Sequence, residues 1–466
     1  MELHNRKDSA RVGPRPERAG LGRALVIGPY RRAAGGGRAV AASAGAGRSP
    51  EARLDEAVGL TRAIELEVVY SGLVMLNAVV PATYIGKGKV EEIAGLVRTS
   101  EAELVIVDGA LSPVQQRNLE KAWNAKVLDR TGLILEIFGR RAQTREGTLQ
   151  VEHAHLTYQK GRLVRSWTHL ERQRGGFGFL GGPGETQLET DRRLIEDRLA
   201  RIERDLETVK RTRALHRRSR KRVPYPVVAL VGYTNAGKST LFNRLTGGKV
   251  LAADLLFATL DPTLRAVKLP DGATVILSDT VGFISDLPTM LIAAFRATLE
   301  EVIEADIILH VRDIAHADAQ AQAQDVEHVL TELGIESGVG SRLIELWNKA
   351  DRLTPDERAH LAALAARQAD HRPAVVISAL TGQGLDDVEK AIEVRLADSR
   401  AIFDLTVAPE NGEGLSWLYR NAEVLERSEQ PDGATALRVR VDRSKAGLLE
   451  RRFAAQAFGN GLRTSA

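Results

Sequence analysis

The spacing of hydrophobic residues predicts alternating helices and strands over residues 51–140. The predicted elements are a helix at Leu54–Ala63, a strand at Leu66–Tyr70, a helix at Val90–Val97, a strand at Leu104–Val107, a helix at Ser112–Trp123 and a strand at Lys126–Asp129. Strands that alternate with helices are typical of a parallel sheet. Residues 51–140 are therefore expected to form an amino-terminal α/β domain.

Two long helical patterns occupy residues 141–223. The first is loosely periodic from Leu149 to Glu171. The second follows a heptad with Arg192 as its polar member and Leu188, Ile195, Leu199, Ile202, Leu206 and Val209 as its apolar members. A heptad seam needs a partner helix, so a helical hairpin is predicted, with a capping box at 186–189 starting its second helix. Residues 172–184 between the helices are too rich in glycine for a regular element.

Strand patterns return in residues 224–398, at Val227–Val231, Leu264–Leu269, Thr274–Ser278, Ile307–Val311, Leu343–Trp347 and Ala374–Ile377. Residues 399–466 predict a small α+β domain with a helix at Glu413–Glu426, an alternating stretch at Ala434–Val441 and a basic helix at Ser444–Phe453. Residues 1–50 are rich in Arg, Ala, Gly and Pro without a sustained period, which predicts a disordered basic tail.

Composition places the chain among globular proteins of several domains. It has 466 residues, of which 43% are apolar and 27% charged, and its longest apolar runs are shorter than a bilayer span. The formal net charge is only +4, so attraction to phosphate must come from local basic surfaces. There is no cysteine, which excludes disulfides, thiolate zinc sites and a cysteine nucleophile.

The most informative motif lies at residues 232–239, between an apolar strand and an amphipathic helix. Its pattern of glycine, four variable residues and Gly-Lys-Ser is that of a P-loop, whose backbone N–H groups and lysine bind phosphate while its serine hydroxyl binds Mg²⁺. The predicted phosphate-binding residues are Gly232, Tyr233, Thr234, Asn235, Ala236, Gly237, Lys238, Ser239 and Thr240.

Two later segments predict contacts with the metal and the terminal phosphate. Thr259 stands in a predicted loop where a switch hydroxyl completes Mg²⁺ coordination, and Gly282 can offer its N–H to the γ-phosphate. Lys238, Thr259 and Gly282 are the predicted catalytic residues, and Ser239 and Thr259 the predicted metal ligands. The nucleotide-binding residues predicted around them are Phe257, Ala258, Thr259, Leu260, Asp261, Asp279, Thr280, Val281 and Gly282.

The base is predicted to be guanine. The carboxylate of Asp351 can accept from the ring N–H and the exocyclic amine of guanine, whereas adenine offers no such pair of donors. The residues predicted to contact the base are Asn348, Lys349, Ala350, Asp351, Ser378, Ala379 and Leu380. These motifs stand in order at the carboxyl ends of predicted strands, which indicates a P-loop GTPase domain. The predicted fold class is α/β, with this domain preceded by the α/β domain and the hairpin.

Phe283 follows Gly282, at the position where Ras-like enzymes carry a glutamine that orients the attacking water. A phenylalanine has no polar group for this task. Slow intrinsic hydrolysis is therefore expected, with stimulation by a bound partner that orders the loops.

The segment between the hairpin helices combines arginine, glycine and phenylalanine, and it has two interpretations. It is a linker whose phenylalanines pack against a neighbouring domain, or it binds RNA through Arg172, Arg174, Phe177 and Phe179, the arginines on phosphate and the rings stacked on bases. Seven basic residues at 211–222, just before the nucleotide domain, favour an RNA partner.

Residues 51–400 resemble the HflX family of ribosome-associated GTPases, a translation-factor class related to Obg. The blocks outside the nucleotide domain that carry the resemblance lie at 84–89, 111–121, 129–135 and 181–193. The resemblance implies GTP hydrolysis coupled to binding of the large (50S) ribosomal subunit, splitting or rescue of stalled ribosomes, and an amino-terminal part that acts on rRNA. It also implies ligation of Mg²⁺ by Ser239 and Thr259.

Two alternatives remain at the sequence level: an RNA-remodelling protein in which GTP is only regulatory, and a ribosome-assembly or tRNA-modification GTPase. The expected partners are GTP, GDP and the 50S subunit, the expected state is a monomer without membrane insertion, and the expected location is the cytoplasm with a membrane-peripheral fraction.

Overall fold

The computed structural model describes residues 22–31, 48–173, 183–220, 225–248, 257, 262–287, 299–335, 342–368, 373–398 and 400–453. These residues contain three sheets, of four, six and three strands. Within them, no helix is both long and apolar enough to cross a membrane.

The amino-terminal sheet is parallel and has the strand order β2-β1-β3-β4. Its elements are β1 (Arg23–Arg31), α1 (Pro50–Ala63), β2 (Glu67–Leu76), α2 (Lys87–Ser100), β3 (Leu104–Val107), α3 (Pro113–Trp123), β4 (Lys126–Asp129) and α4 (Arg130–Arg141). The predicted alternation and the parallel sheet are confirmed. Ser112 begins α3 with a capping box and a proline at the first helical position.

The prediction that residues 1–50 form a disordered tail is wrong for two segments. Arg23–Arg31 is strand β1, which pairs with both β2 and β3 and is almost wholly buried. Arg48 is also ordered, with its side chain only 3% exposed. The apolar run of β1 is short and lies between arginine- and glycine-rich sequence, so composition over a wider window concealed it.

Helix α4 has no counterpart among the predicted elements. Asp129 caps it by accepting from the N–H of Gly132 at 2.8 Å. Its apolar residues are buried all round, at Leu133, Ile134, Leu135, Ile137 and Phe138. The exposed positions of this helix lie only near its end, at 139 and 140, so it lacks the broad polar face from which periodicity is recognised.

The helical hairpin consists of α5 (Arg145–Gln173) and α6 (Pro183–Arg220). Leu199 and Ile202 of α6 are buried, as are Val151 and Ala154 of α5, so the predicted seam has the predicted partner. Helix α6 begins at Pro183, which places the expected capping box inside the helix instead of at its start.

The nucleotide domain has the strand order β10-β9-β8-β5-β7-β6. All neighbouring pairs are parallel except the edge pair β6 and β7. Its elements are β5 (Val227–Gly232), α7 (Lys238–Thr246), β6 (Thr263–Lys268), β7 (Thr274–Asp279), β8 (Ile307–Asp313), α8 (Ala319–Glu332), β9 (Leu343–Asn348), α9 (Pro355–Gln368), β10 (Ala374–Val376) and α10 (Leu385–Asp398). The predicted strands are confirmed.

The carboxyl-terminal unit is α+β, as predicted, with the antiparallel strand order β11-β13-β12. It contains β11 (Arg400–Val407), α11 (Gly412–Asn421), β12 (Glu423–Glu429), β13 (Thr435–Asp442) and α12 (Arg443–Phe453). The helix predicted at Glu413–Glu426 is too long, because it ends at Asn421 and β12 takes its last four residues. Strand β12 is mostly exposed and pairs only along β13, so burial gives it no alternating pattern to recognise.

One hydrophobic core extends across the boundary between the amino-terminal and nucleotide domains. It joins buried residues of α1 and α4 to buried residues next to the phosphate loops, among them Tyr233, Phe257, Val281 and Phe283. The two domains therefore share apolar packing beside the segments that are predicted to bind phosphate.

The central position of β1 gives the first prediction. Leu25 is fully buried in the core of the amino-terminal sheet, so Leu25→Ala should destabilise that sheet by about 2–5 kcal/mol. Native-state hydrogen exchange of the β3 amides measures this loss locally. Arg31→Ala, at the exposed end of the same strand, is the control and should change stability by less than about 0.5 kcal/mol. Equal exchange in the two variants would contradict a central strand.

Candidate functional site

Four of the predicted segments meet at one edge of the six-stranded sheet. The P-loop begins at the last residue of β5, residues 279–282 begin at the last residue of β7, Asn348 ends β9 and Ser378 lies just beyond β10. These strands are mutually parallel through the ladder β7, β5, β8, β9 and β10, so their carboxyl ends lie side by side. Open parallel sheets bind ligands at this edge.

Two positions of the P-loop must be glycine, because neighbouring atoms leave no room there for a Cβ atom. Gly232 has φ of 151°, and a Cβ there would lie 2.2 Å from the carbonyl oxygen of Val311. Gly237 has φ of 99°, and a Cβ there would lie 2.2 Å from Nδ2 of Asn348. Both values of φ are disfavoured for residues with side chains. The loop can therefore wind tightly between β8 and the base-reading segment.

Lys238 lies buried under this loop. Its ammonium donates to the carbonyl oxygens of Gly232 at 3.1 Å and Tyr233 at 2.9 Å. Among the contacts of the described residues, two of the three ammonium N–H groups are used, so one N–H is left for a ligand. Burial lowers the pKa of Lys238 to about 8, opposed by the neighbouring carboxylate of Asp279. The negative charge around Lys238 does not fully offset the cost of burying its ammonium group. An anionic ligand would therefore stabilise the protonated lysine.

Ser239 and Asp279 form an oxygen pair beside the lysine. The hydroxyl of Ser239 donates to the carboxylate of Asp279 at 2.7 Å, and Asp279 is fully buried. Hydroxyl and carboxylate oxygens are the donors that Mg²⁺ prefers, so the donor chemistry of this pair fits that ion.

The backbone after Asp279 is tied directly to the P-loop. The N–H of Phe283 donates to Gly232 at 3.1 Å, and the N–H of Thr234 donates to the carbonyl of Phe283 at 2.8 Å. A Cβ on Gly282 would lie 3.0 Å from Nζ of Lys238 and 2.9 Å from Cγ2 of Thr234. Gly282 is therefore held against the lysine that is expected to contact the terminal phosphate.

The predicted base-reading residues are also brought together. The side-chain amide of Asn348 donates to the carbonyl of Ala236 at 2.7 Å, and its oxygen accepts from the N–H of Ala379 at 2.9 Å. Asp351 accepts from the hydroxyl of Ser378 at 2.6 Å. Lys349 has φ of 67° and pairs with Asp313 at 2.7 Å. Asn348 thus links the P-loop to both segments that are expected to surround the base.

Several predicted residues fall elsewhere. Ala258, Thr259, Leu260 and Asp261 lie outside the described residues, as do Arg174, Phe177 and Phe179, while Arg172 lies in the last turn of α5. Phe257 is described, and its ring packs edge-on against Phe138 of α4 with centroids 4.7 Å apart. Its side chain is thus part of the domain interface, which leaves only its backbone for a nucleotide.

A polar network at the domain boundary was not predicted. Arg48, Glu56 and Arg130 of the amino-terminal half contact Tyr233 of the P-loop and Ser285, which follows Gly282 by three positions. Arg48 also pairs with Asp325 of α8 at 2.7 Å. One signal was available in the sequence: a phosphate loop uses its backbone, so the bulky Tyr233 inside it needs a separate explanation.

A sheet of this order, with a phosphate loop, a buried lysine, an aspartate beside the P-loop serine and an Asn-Lys-Ala-Asp segment at one edge, defines the P-loop GTPase class. Comparisons with family models agree along the chain. Residues 227–349 match a model described as a 50S ribosome-binding GTPase, and residues 363–460 match the HflX C-terminal domain. Residues 51–139 and 141–220 match the N-terminal and middle regions of GTP-binding GTPases.

Curated relatives extend this match over most of the chain. The GTPase HflX of Magnetococcus marinus is 50% identical over 82% of this chain and 87% of its own length. The GTPase HflX of Escherichia coli K12 is 46% identical over 78% of this chain and 83% of its own length. Among solved structures, a GTP-binding protein from Sulfolobus solfataricus in complex with GDP is 21% identical, with a TM-score of 0.43, covering 80% of this chain and 98% of that one.

The chain belongs to the HflX family of GTPases. It binds guanine nucleotide and hydrolyses GTP.

The buried lysine predicts how nucleotide binding depends on pH. A bound polyphosphate favours protonated Lys238, so the pKa of about 8 in the free protein rises on binding. Affinity for GDP should be level below pH 8 and should fall above it, by up to about tenfold per pH unit. Binding titrations at pH 7, 8 and 9 measure this effect.

The control is Lys238→Arg, because a guanidinium does not titrate in this range. Any slope that this variant retains comes from other groups, including the guanine base. A wild-type slope no steeper than that of Lys238→Arg would contradict the assignment to the lysine.

Proposed function

We propose that this GTPase uses its nucleotide state to control association with the large ribosomal subunit, and that it splits or rescues stalled ribosomes. The observation that carries the proposal is the helical hairpin, which runs into β5 and the P-loop after a short connection. The match of the nucleotide domain to a 50S ribosome-binding GTPase model and the HflX relatives support the same partner.

The hairpin is built as a stiff arm. Besides its apolar seam, ion pairs join the two helices between Lys160 and Glu196 at 3.1 Å and between Glu152 and Arg198 at 2.7 Å. Helix α6 has 38 residues and so spans about 57 Å at the usual rise of an α-helix. Because α5 contacts the amino-terminal domain as far as Arg162, the eleven residues from Leu163 to Gln173 would extend the hairpin by about 16 Å beyond that contact.

The connection between Gln173 and Pro183 contains Arg174, Phe177 and Phe179 among several glycines. In our proposal its arginines bind rRNA phosphate and its rings stack on unpaired bases, with Arg172 contributing from the end of α5. Stacking on bases needs no fixed sequence, which suits a probe that enters a structured RNA.

In the nucleotide site, we assign Lys238 and the N–H of Gly282 to the terminal phosphate. Ser239 and Thr259 would hold Mg²⁺, with Asp279 beside them, and the metal would neutralise phosphate charge. Asp351 would accept from guanine, with the backbone of Ser378, Ala379 and Leu380 near its carbonyl oxygen. The hydroxyl, carboxylate, ammonium and backbone N–H groups of these residues are the types that these ligands require.

We propose that intrinsic hydrolysis is slow because position 283 carries a phenylalanine, which has no polar group to orient water and is only 1% exposed. The ribosome would raise the rate by ordering the loops around the nucleotide. In this proposal the protein acts as a cytoplasmic monomer, in part membrane-peripheral, and cycles between GTP and GDP.

The function is tested at the end of the hairpin. Phe177→Ala with Phe179→Ala should lower ribosome splitting by about tenfold or more, since each lost stack costs about 1–3 kcal/mol, while GDP affinity stays unchanged. Light scattering of 70S particles with GTP measures splitting, and phosphate release with and without 50S subunits measures stimulation.

The matched control is Leu194→Ala, which removes an exposed apolar side chain from α6 away from the connection. Unchanged splitting in the double variant would favour the linker interpretation. Absence of any 50S stimulation in the wild-type protein, or equal turnover of ATP, would contradict the proposed function.

Base recognition is tested at Asp351. Asp351→Asn replaces the acceptor pair with an amide, so affinity for GDP should fall by about a hundredfold or more and xanthosine diphosphate should bind better than GDP. Competition binding with the two nucleotides measures the preference. Retained preference for GDP would show that Asp351 does not read the base.

A further inference from the structure

The amino-terminal half is hydrogen-bonded through Ser285 to the segment that follows Gly282. Ser285 is only 4% exposed. Its hydroxyl donates to Glu56 at 2.9 Å, and its carbonyl and hydroxyl oxygens accept from Arg130 at 3.0 and 2.9 Å. Both partners belong to the amino-terminal half, Glu56 to α1 and Arg130 to α4.

Tyr233 of the P-loop is bound by Glu56 as well, together with Arg48. Its hydroxyl accepts from the N–H of Ser285 at 2.8 Å and from Arg48 at 2.8 Å, and it donates to Glu56. A phenol donates once and accepts at most twice, so this hydroxyl is fully used. Glu56 therefore contacts the P-loop and the segment after Gly282 at once.

The charges keep Glu56 ionised although it is buried. Burial alone would raise the pKa of Glu56, but Arg130 and Arg48 beside it lower the pKa below its usual value. Arg130 is balanced in turn by Asp108 at 2.6 Å. Charged hydrogen bonds in such a site are short and directional, so the network holds its members in one arrangement.

The held segment is short. Phe283 is paired with the P-loop backbone through two main-chain hydrogen bonds, and Ser285 is held two residues later. Gly282 immediately precedes this stretch and lies against Lys238. A shift of Ser285 must therefore be absorbed within very few residues of Gly282.

We propose that Glu56 and Arg130 are positioning residues for GTP hydrolysis, which act through Ser285 and Tyr233 to fix the Gly282 N–H and the adjacent backbone at the terminal phosphate. The proposal rests on the assigned role of Gly282. The side chain of Phe283 cannot orient the attacking water as a glutamine does in Ras-like enzymes. In this protein, contacts from the amino-terminal half instead hold the backbone beside the terminal phosphate in one geometry.

The test uses the full chain and single-turnover GTP hydrolysis. Glu56→Gln keeps the shape but removes the charge, and it should lower the hydrolysis rate by about tenfold while KM and GDP affinity change less than about threefold. Ser285→Ala should lower the rate by about fivefold, and Ser285→Thr, which keeps the hydroxyl, should restore it to within about twofold. Exchange of the amides of residues 280–285 should become faster in Glu56→Gln and Ser285→Ala.

The matched control is Gln115→Ala, which removes a side chain that accepts from the N–H of Ser112 at 2.9 Å and donates to the carbonyl of Val80 at 3.2 Å, both within the amino-terminal half. It should destabilise the protein without changing the rate. Gly282→Ala is measured in parallel, because a Cβ there meets Lys238 and Thr234.

Unchanged rates in Glu56→Gln and Ser285→Ala, with hydrolysis lost in Gly282→Ala, would overturn the positioning role and leave the assigned nucleotide site standing. A faster rate in Glu56→Gln would also overturn it, since the network would then restrain the segment. Unchanged hydrolysis in Gly282→Ala would show instead that the assignment of Gly282 is wrong. If Glu56→Gln fails to fold, Ser285→Ala decides alone.

Discussion

The burial of one guanidinium constrains how the two halves of this protein can meet. Arg130 is only 6% exposed, and an ion removed from water costs several kcal/mol unless it is paired and hydrogen-bonded. Its carboxylate partners, Asp108 and Glu56, lie in the amino-terminal half, while its remaining acceptors belong to Ser285 in the nucleotide domain. Neither half satisfies this side chain by itself, so the contact between them has one favourable arrangement and few tolerable alternatives.

That arrangement falls beside the predicted nucleotide site because the carboxyl ends of the parallel strands of both sheets lie there. Asp108 follows β3 and Arg130 follows β4, at the carboxyl edge of the amino-terminal sheet. The P-loop and the segment after Asp279 occupy the corresponding edge of the nucleotide domain. Two sheets thus face one another through the ends that carry their polar loops, and the apolar core around Phe283 closes the space between them.

The sequence predicts which residues come together at one edge of the six-stranded sheet, because phosphate and guanine require specific residues at strand ends, such as Gly237, Lys238 and Asp351. It predicts the alternating elements for a similar reason, since burial on one face leaves a period. It does not reveal β1 or α4, whose apolar residues are buried without a polar face, nor the contact between Glu56 and Tyr233, which are 177 positions apart. Residues that act by meeting across domains leave no local pattern.

Phe257 and Phe283 stand beside residues that are predicted to bind phosphate, and both rings lie in the core shared with α4. In an excised nucleotide domain these rings would be exposed to solvent and would form a hydrophobic patch that is buried in the intact chain. The excised domain would therefore be prone to self-association, and its loops could adopt other conformations that cover the exposed rings. Kinetic constants measured on such a fragment would therefore not report how the intact chain hydrolyses GTP.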